Sequence, residues 1–204
     1  MRTMAFCKKI IVGGGKLFYY IFYGYFFNEY HLTDTILRPI SITPKYIKMG
    51  KHVLVYYHAR INGVSQYNNT KYNPLIELKD GVRIQQNLHL TCADSIVIGE
   101  NSAIAANVTI TDIHHPYTDI NVPIEHQDLE VNPVKIGKNC KIYNNAVILP
   151  GTIIGDHVTI GANSVVKGVI PDYSVAVGIP ASIIKRYDFS VGQWRKTDKD
   201  GDFI

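Results

Sequence analysis

At 204 residues with 46% hydrophobic content, the chain has material for one domain with a substantial core, and no low-complexity linker divides it. A net charge of +4 is compatible with an anionic ligand, but there is no basic run of the kind that marks nucleic-acid binding. The three cysteines, Cys7, Cys92 and Cys140, are odd in number and irregularly spaced, which argues against a disulfide framework or a zinc site and for a reduced, cytoplasmic chain.

Residues 1–47 read as a helical or irregular head, dominated by the run LFYYIFYGYFF over 17–27. The run is too short to cross a bilayer, and no small-residue cleavage site follows it. The expected element is a helix over about 6–30 that packs its aromatic face on the rest of the chain or on a neighbouring subunit. Weak contact with a membrane surface is the alternative, favoured by the tyrosines and disfavoured by the scarcity of cations beside them. Gly13, Gly14, Gly15 and Lys16 lack the spacing and the preceding strand of a phosphate loop.

From about 48 to 184 a six-residue beat takes over. It is faint at Met49, Val55 and Ile61, clearer at Leu78, Ile84 and Leu90, and clear again at Ile98, Ile104 and Ile110. After a break over 111–133 it runs without a miss through Ile136, Ile142, Ile148, Ile154, Ile160 and Val166. Four residues after each of the first five of these stands a small or slim side chain: Cys140, Ala146, Thr152, Val158 and Ser164. An α-helix would put positions six apart on opposite faces, and a simple strand would not be punctuated every sixth residue by Gly or Asn.

A chain that makes a short strand, turns and repeats does account for the beat. Three such strands form a triangular coil of about eighteen residues, and coils stack about 4.8 Å apart. The aliphatic of each hexad points inward above its equivalent one coil below. Asn139, Asn144, Asn145 and Asn163, with the glycines, suit corners because both residue types tolerate positive φ. The expected architecture is mainly β, a parallel β-helix with a protruding loop at 111–133 and a polar tail over 185–204.

The hexads, the loop TDIHHPYTDI (111–120), AVILPGTIIG (146–155), GANSVV (161–166) and VGIPASIIKR (177–186) together resemble the hexapeptide-repeat acyltransferases. The likeness spans about 74–186 and, through the His-Pro loop, is most specific to the maltose, galactoside and polysaccharide O-acetyltransferase branch. It implies a left-handed β-helix, an exception to the right-handed crossover rule. It also implies a homotrimer with active sites in clefts between neighbouring prisms, and acetyl-CoA as co-substrate with no metal. The implied reaction is acetyl transfer to a hydroxyl of a sugar or surface-polysaccharide precursor, with a xenobiotic O-acetyltransferase as the alternative.

Such transfer needs a base to take the proton of a weakly acidic hydroxyl as it attacks the thioester, a task to which a neutral imidazole is suited. His115, directly before Pro116, matches the catalytic histidine of the family, and proline holds the preceding residue extended. His114 is the competitor for that role and otherwise a substrate-binding candidate. Asp112 is expected to orient the imidazole or touch the acceptor, unless it caps a turn.

By the same resemblance, Gln85, Asn87 and Asn144 fall where relatives place polar acceptor contacts. Ala162, Lys167, Gly168, Ser182 and Lys185 match the stretches lining the coenzyme A channel. Lys141 and Tyr143 stand where relatives commonly carry Trp and Gly. Two other classes share the prism: the γ-class carbonic anhydrases, for which His89, His114, His115 and His126 offer imidazoles at the wrong spacing, and catalytically silent scaffolds.

Overall fold

The computed structural model describes Ile21, residues 24–198 and residues 201–204. The helix expected over 6–30 therefore lies largely outside the described residues. Where the head becomes describable, Phe27 is buried and stacks near Tyr30 at 4.9 Å, while Tyr25 and Phe26 are exposed. Among the described residues no helix is long and apolar enough to cross a membrane.

The chain winds as a left-handed parallel β-helix whose three faces are parallel sheets. The first face begins with Thr35–Ile36, the second with Ser41–Ile42 and the third with Ile47–Met49, and each turn of the chain adds one strand to each face. Parallel pairing thus starts inside the segment 1–47 that the sequence sets apart as a head, with Thr35 opposite Leu54 and Ser41 opposite Arg60. The other end also differs from the expected tail. Ser174–Gly178 turns back into the antiparallel strands Ala181–Asp188 and Gln193–Lys196, which extend the first face across the boundary at 184.

The hexad aliphatics are the core. None of the six between Ile136 and Val166 is more than 1% exposed, and neither are the nine that keep the beat upstream. They stack in register: Leu78, Ile98, Ile136, Ile154 and Ile170 on the third face, Ile84, Ile104, Ile142 and Ile160 on the first, and Leu90, Ile110, Ile148 and Val166 on the second. Each buried aliphatic contributes about 1.5–3 kcal/mol relative to exposure, so stability is spread along the prism. The slim residues four positions on, from Cys140 to Ser164, are buried at the corners.

The corners follow two chemistries. Along the edge between the first and second faces, Asn87, Asn107, Asn145 and Asn163 adopt φ near +60°, and the side-chain amide of each of the first three donates to the next at 3.0 to 3.1 Å. Asn139, Asn145 and Asn163 take the positive φ expected of them. Asn144 does not; it precedes the turn and its carbonyl accepts from Asn163 N–H.

Along the edge between the third and first faces, Gly137 is required by close approach. A Cβ there would lie 2.5 Å from the carbonyl oxygen of Gly155 in the next coil. Gly137→Ala should therefore cost about 1–3 kcal/mol of stability through forced separation of coils. A denaturation midpoint indistinguishable from that of the parent would contradict this packing.

Cys92 and Cys140 are buried and free. Burial raises both thiols above their usual range, and the neighbouring Asp112 carboxylate adds to the effect on Cys92. Thiolate is the reactive form, so neither should react with a thiol-specific disulfide reagent in the native protein at neutral pH, and both should react on unfolding. Peptide-resolved alkylation checks this.

Candidate functional site

Two excursions leave the same edge of the prism, between the second and third faces. The first occupies 64–74 and contains the antiparallel pair Gln66–Tyr67 and Thr70–Lys71. The second, 112–133, is closed by Ile113–His114 against Glu130–Val131 and carries a 3-10 turn at Ile124–His126. The second was expected; the first was not. Its signal was the beat itself, which lapses after Ile61 at Tyr67, where an aliphatic is due, and resumes out of phase at Leu78.

The excursions are tied together. Tyr67 Oη lies 2.6 Å from Glu125 Oε2 and 2.9 Å from the Glu125 carbonyl oxygen. Asn68 Nδ2 donates to the carbonyls of Glu125 and Gln127, and Thr70 Oγ1 donates to Asp128 Oδ2 at 2.7 Å. Tyr72 Oη accepts from Leu129 N–H at 2.9 Å.

Asp112, at the root of the second excursion, is fully buried. Its carboxylate accepts from the backbone N–H groups of Ala93 and Asp94, both at 2.8 Å, and from Cys92 Sγ at 3.3 Å. It closes the corner of the coil below, where the beat slips between Leu90 and Ile98. In one chain it contacts neither histidine through a hydrogen bond and has no surface to offer an acceptor. The turn-capping role accounts for its surroundings.

The two histidines diverge because successive side chains of an extended segment point to opposite sides. His114 is exposed, meets Tyr117 edge-on at 5.9 Å and lines a cavity of about 430 Å³ with Glu130, Asn132 and Lys167 over Leu149 and Pro150. His115 turns toward the first excursion, where its ring meets that of Tyr67 at 5.4 Å and 79°. It is half-buried, and its Nδ1 is enclosed without a hydrogen-bond partner. Nε2 is the nitrogen left to a ligand.

The remaining candidates divide by edge. Lys167 and Gly168 sit on the histidine edge, where the corner between Val165–Val166 and Val169–Ile170 is short; Gly168 has φ +83° and open space beside its Cα. Gln85, Asn87, Asn144 and Ala162 are exposed on the other edge of the second face, with Asn87 engaged in the asparagine ladder. Ser182 and Lys185 lie on the antiparallel strand Ala181–Asp188, opposite Val177 and Val175. One chain therefore puts Asp112, His114, His115, Lys167 and Gly168 on one edge, with His114 and Lys167 lining the same cavity, and leaves Gln85, Asn87 and Asn144 across the face. Lys141 reaches over the Tyr143 ring at 5.4 Å from Nζ. Among the described residues no three His, Cys, Asp or Glu side chains gather as metal ligands.

Two family patterns match this chain: the bacterial transferase hexapeptide of six repeats over residues 133–168, and the hexapeptide repeat of succinyl-transferase over residues 91–112. Escherichia coli WbbJ, whose name assigns it O-acetyl transfer in lipopolysaccharide biosynthesis, is 39% identical over 129 residues, covering 60% of this chain and 66% of its own. The galactoside O-acetyltransferase of the same organism is 37% identical over 113 residues, covering 52% of each chain. The chain thus spans between a half and two thirds of the length of these curated relatives. A Vibrio cholerae hexapeptide-repeat acetyltransferase, VCA0836, shares the fold with a TM-score of 0.57 at 18% identity, over 85% of this chain and 81% of its own. With the stacked hexads and the prism they build, these likenesses show a chain of hexapeptide repeats that is similar to the hexapeptide-repeat acetyltransferases.

Proposed function

We propose that this protein moves an acetyl group from acetyl-CoA to a hydroxyl of a sugar or surface-polysaccharide precursor in the cytoplasm, as a homotrimer with active sites between copies. The observation that carries the reading is the interruption of the prism over 112–133, which sets His115 on an edge with only one ring nitrogen enclosed. His115 Nε2 takes the acceptor proton as the oxygen attacks the thioester carbonyl. The tetrahedral intermediate collapses with cleavage of the C–S bond, and the departing thiolate receives the proton. Backbone N–H groups at the corners are suited to stabilising the oxyanion. No covalent enzyme intermediate is required.

The separation of the candidates onto two edges supports assembly. A heterologous cyclic contact, in which one edge of a prism meets the other edge of the next, brings Gln85, Asn87, Asn144 and Ala162 of one copy to His115 of its neighbour. Lys167 lines the cavity beside His114 and, with Lys185, offers cations to the phosphates of coenzyme A. Glu130 and Asn132 in the same cavity suit hydroxyl recognition.

A mass-spectrometric screen of acetyl transfer to nucleotide sugars, oligosaccharides and chloramphenicol-like alcohols tests the reading. The expected product is a sugar acetyl ester formed with release of coenzyme A. Transfer confined to the drug-like alcohols would favour a xenobiotic enzyme, and no acetyl-CoA turnover with any acceptor would remove the proposal.

A further inference from the structure

A histidine that acts as a base is ordinarily aimed by a hydrogen bond from its second nitrogen to a carbonyl or carboxylate. His115 has none: its Nδ1 is the only buried side-chain nitrogen or oxygen without a partner among the described residues. Something other than a hydrogen bond must fix the ring. The aromatic contact recorded for it is with Tyr67, edge to face at 5.4 Å. Aromatic pairs in this geometry are worth about 0.5–1.5 kcal/mol beyond area burial, enough to choose a rotamer.

Tyr67 is itself anchored at its far end. Its hydroxyl donates to Glu125 Oε2 at 2.6 Å, and this bond, with lesser help from burial, holds the phenol proton more tightly than usual. Glu125 belongs to the same excursion as His115, ten residues further along, and is presented by the turn Ile124–His126. A single side chain of the 64–74 excursion therefore packs on the imidazole and grips the loop that carries it. The bonds from Asn68 and Thr70 fix the base of this clamp.

We infer that Tyr67 is a positioning residue for acetyl transfer: it sets the orientation of the His115 ring through edge-to-face packing, with Glu125 locking the phenol in place. The inference rests on the reading of His115 as general base. A base displaced by about 1 Å can cost 10²-fold in rate while leaving substrate affinity nearly unchanged, which separates a positioning role from a structural one.

The test uses the full chain, with the first acceptor in the screen that the parent acetylates. Tyr67→Ala should lower kcat about 10–100-fold while KM for acetyl-CoA moves less than about threefold. Tyr67→Phe keeps the ring and loses the anchor, so its loss should be smaller. Glu125→Gln retains a carbonyl acceptor for the hydroxyl and should stay within about twofold of the parent, whereas Glu125→Ala keeps only the backbone carbonyl at 2.9 Å and should fall between Glu125→Gln and Tyr67→Phe.

A second readout needs no acceptor. Carbethoxylation by diethyl pyrocarbonate, resolved by peptide, should speed up at His115 in Tyr67→Ala and be unchanged at His114. Parental kcat in Tyr67→Ala, a loss expressed wholly in KM, or equal carbethoxylation of His115 in parent and variant would overturn the inference. If Tyr67→Ala does not fold, Tyr67→Phe and Glu125→Ala at full kcat would do so. His115→Ala run alongside separates the two claims. If it is inactive while Tyr67→Ala is not, only the role of Tyr67 falls; if it retains parental activity, or the parent acetylates nothing, both fall.

Discussion

His115→Ala should lower kcat for acetyl transfer by about 10²–10⁴, the range in which a positioned general base contributes, with KM for acetyl-CoA changed little. The expectation comes from where the imidazole sits. Its ring is half-buried between the two excursions, with Nδ1 enclosed and Nε2 available, so it has a defined orientation and one nitrogen to offer. His114 is exposed, meets Tyr117 edge-on and lines the neighbouring cavity. Its replacement by Ala should change kcat a few-fold and act mostly through KM. Steady-state kinetics on the two variants decides between them. A parental rate in His115→Ala with abolition in His114→Ala would transfer the role of base to the residue that faces the cavity.

Asp112→Ala should cost about 3–5 kcal/mol of folding stability. The carboxylate is wholly buried and satisfies the N–H groups of Ala93 and Asp94 and the Cys92 thiol. Truncation leaves the buried Ala93 N–H unpaired and takes the carboxylate partner from the half-buried Asp94 N–H, at about 1–3 kcal/mol for each, while the Cys92 thiol keeps only the Leu75 carbonyl at 3.5 Å. Against a typical total of about 5–15 kcal/mol, the loss should be plain in thermal or denaturant unfolding and in soluble yield. Asp112→Asn keeps one acceptor oxygen but turns an amide donor toward other donors, so it should be milder and still destabilising. Catalytic loss in Asp112→Ala with an unchanged unfolding midpoint would contradict the capping role and restore the orienting role that the sequence suggests.

The contrast between Ile136 and Asp112 explains what was legible in advance. Ile136 and its equivalents face inward in every coil, so a local rule repeated along the chain exposes them to inspection of the sequence. Gly137 is readable for the same reason, since each coil must let the next approach its backbone. Asp112 lies beside the histidines in sequence, yet its partners are Ala93 and Asp94 one coil below, and nothing local announces them. The excursion at 64–74 left only a lapse in the beat at Tyr67. Its importance comes from contact with a loop more than fifty residues away, at Glu125.

The binding candidates show another limit. Gln85, Asn87, Asn144 and Ala162 share an edge, and His115 and Lys167 share another; the second face lies between them. The family register lines them up as one site, but a single prism does not. Asn87 illustrates the overlap of roles, because its side chain also begins the ladder that runs to Asn163. The proposed contact between copies would reconcile the two edges, and that geometry is invisible in one chain.

Mixed oligomers provide the most direct measurement. His115→Ala and Asn144→Trp, the latter blocking the opposite edge, should each be inactive alone. Coexpressed or reassembled at equal ratio, they should regain about a quarter of parental acetyl transfer, because random assembly places an intact His115 edge against an intact Asn144 edge at one interface in four. A mixture no more active than the sum of its two components would contradict a site built around His115 and completed by a neighbouring copy.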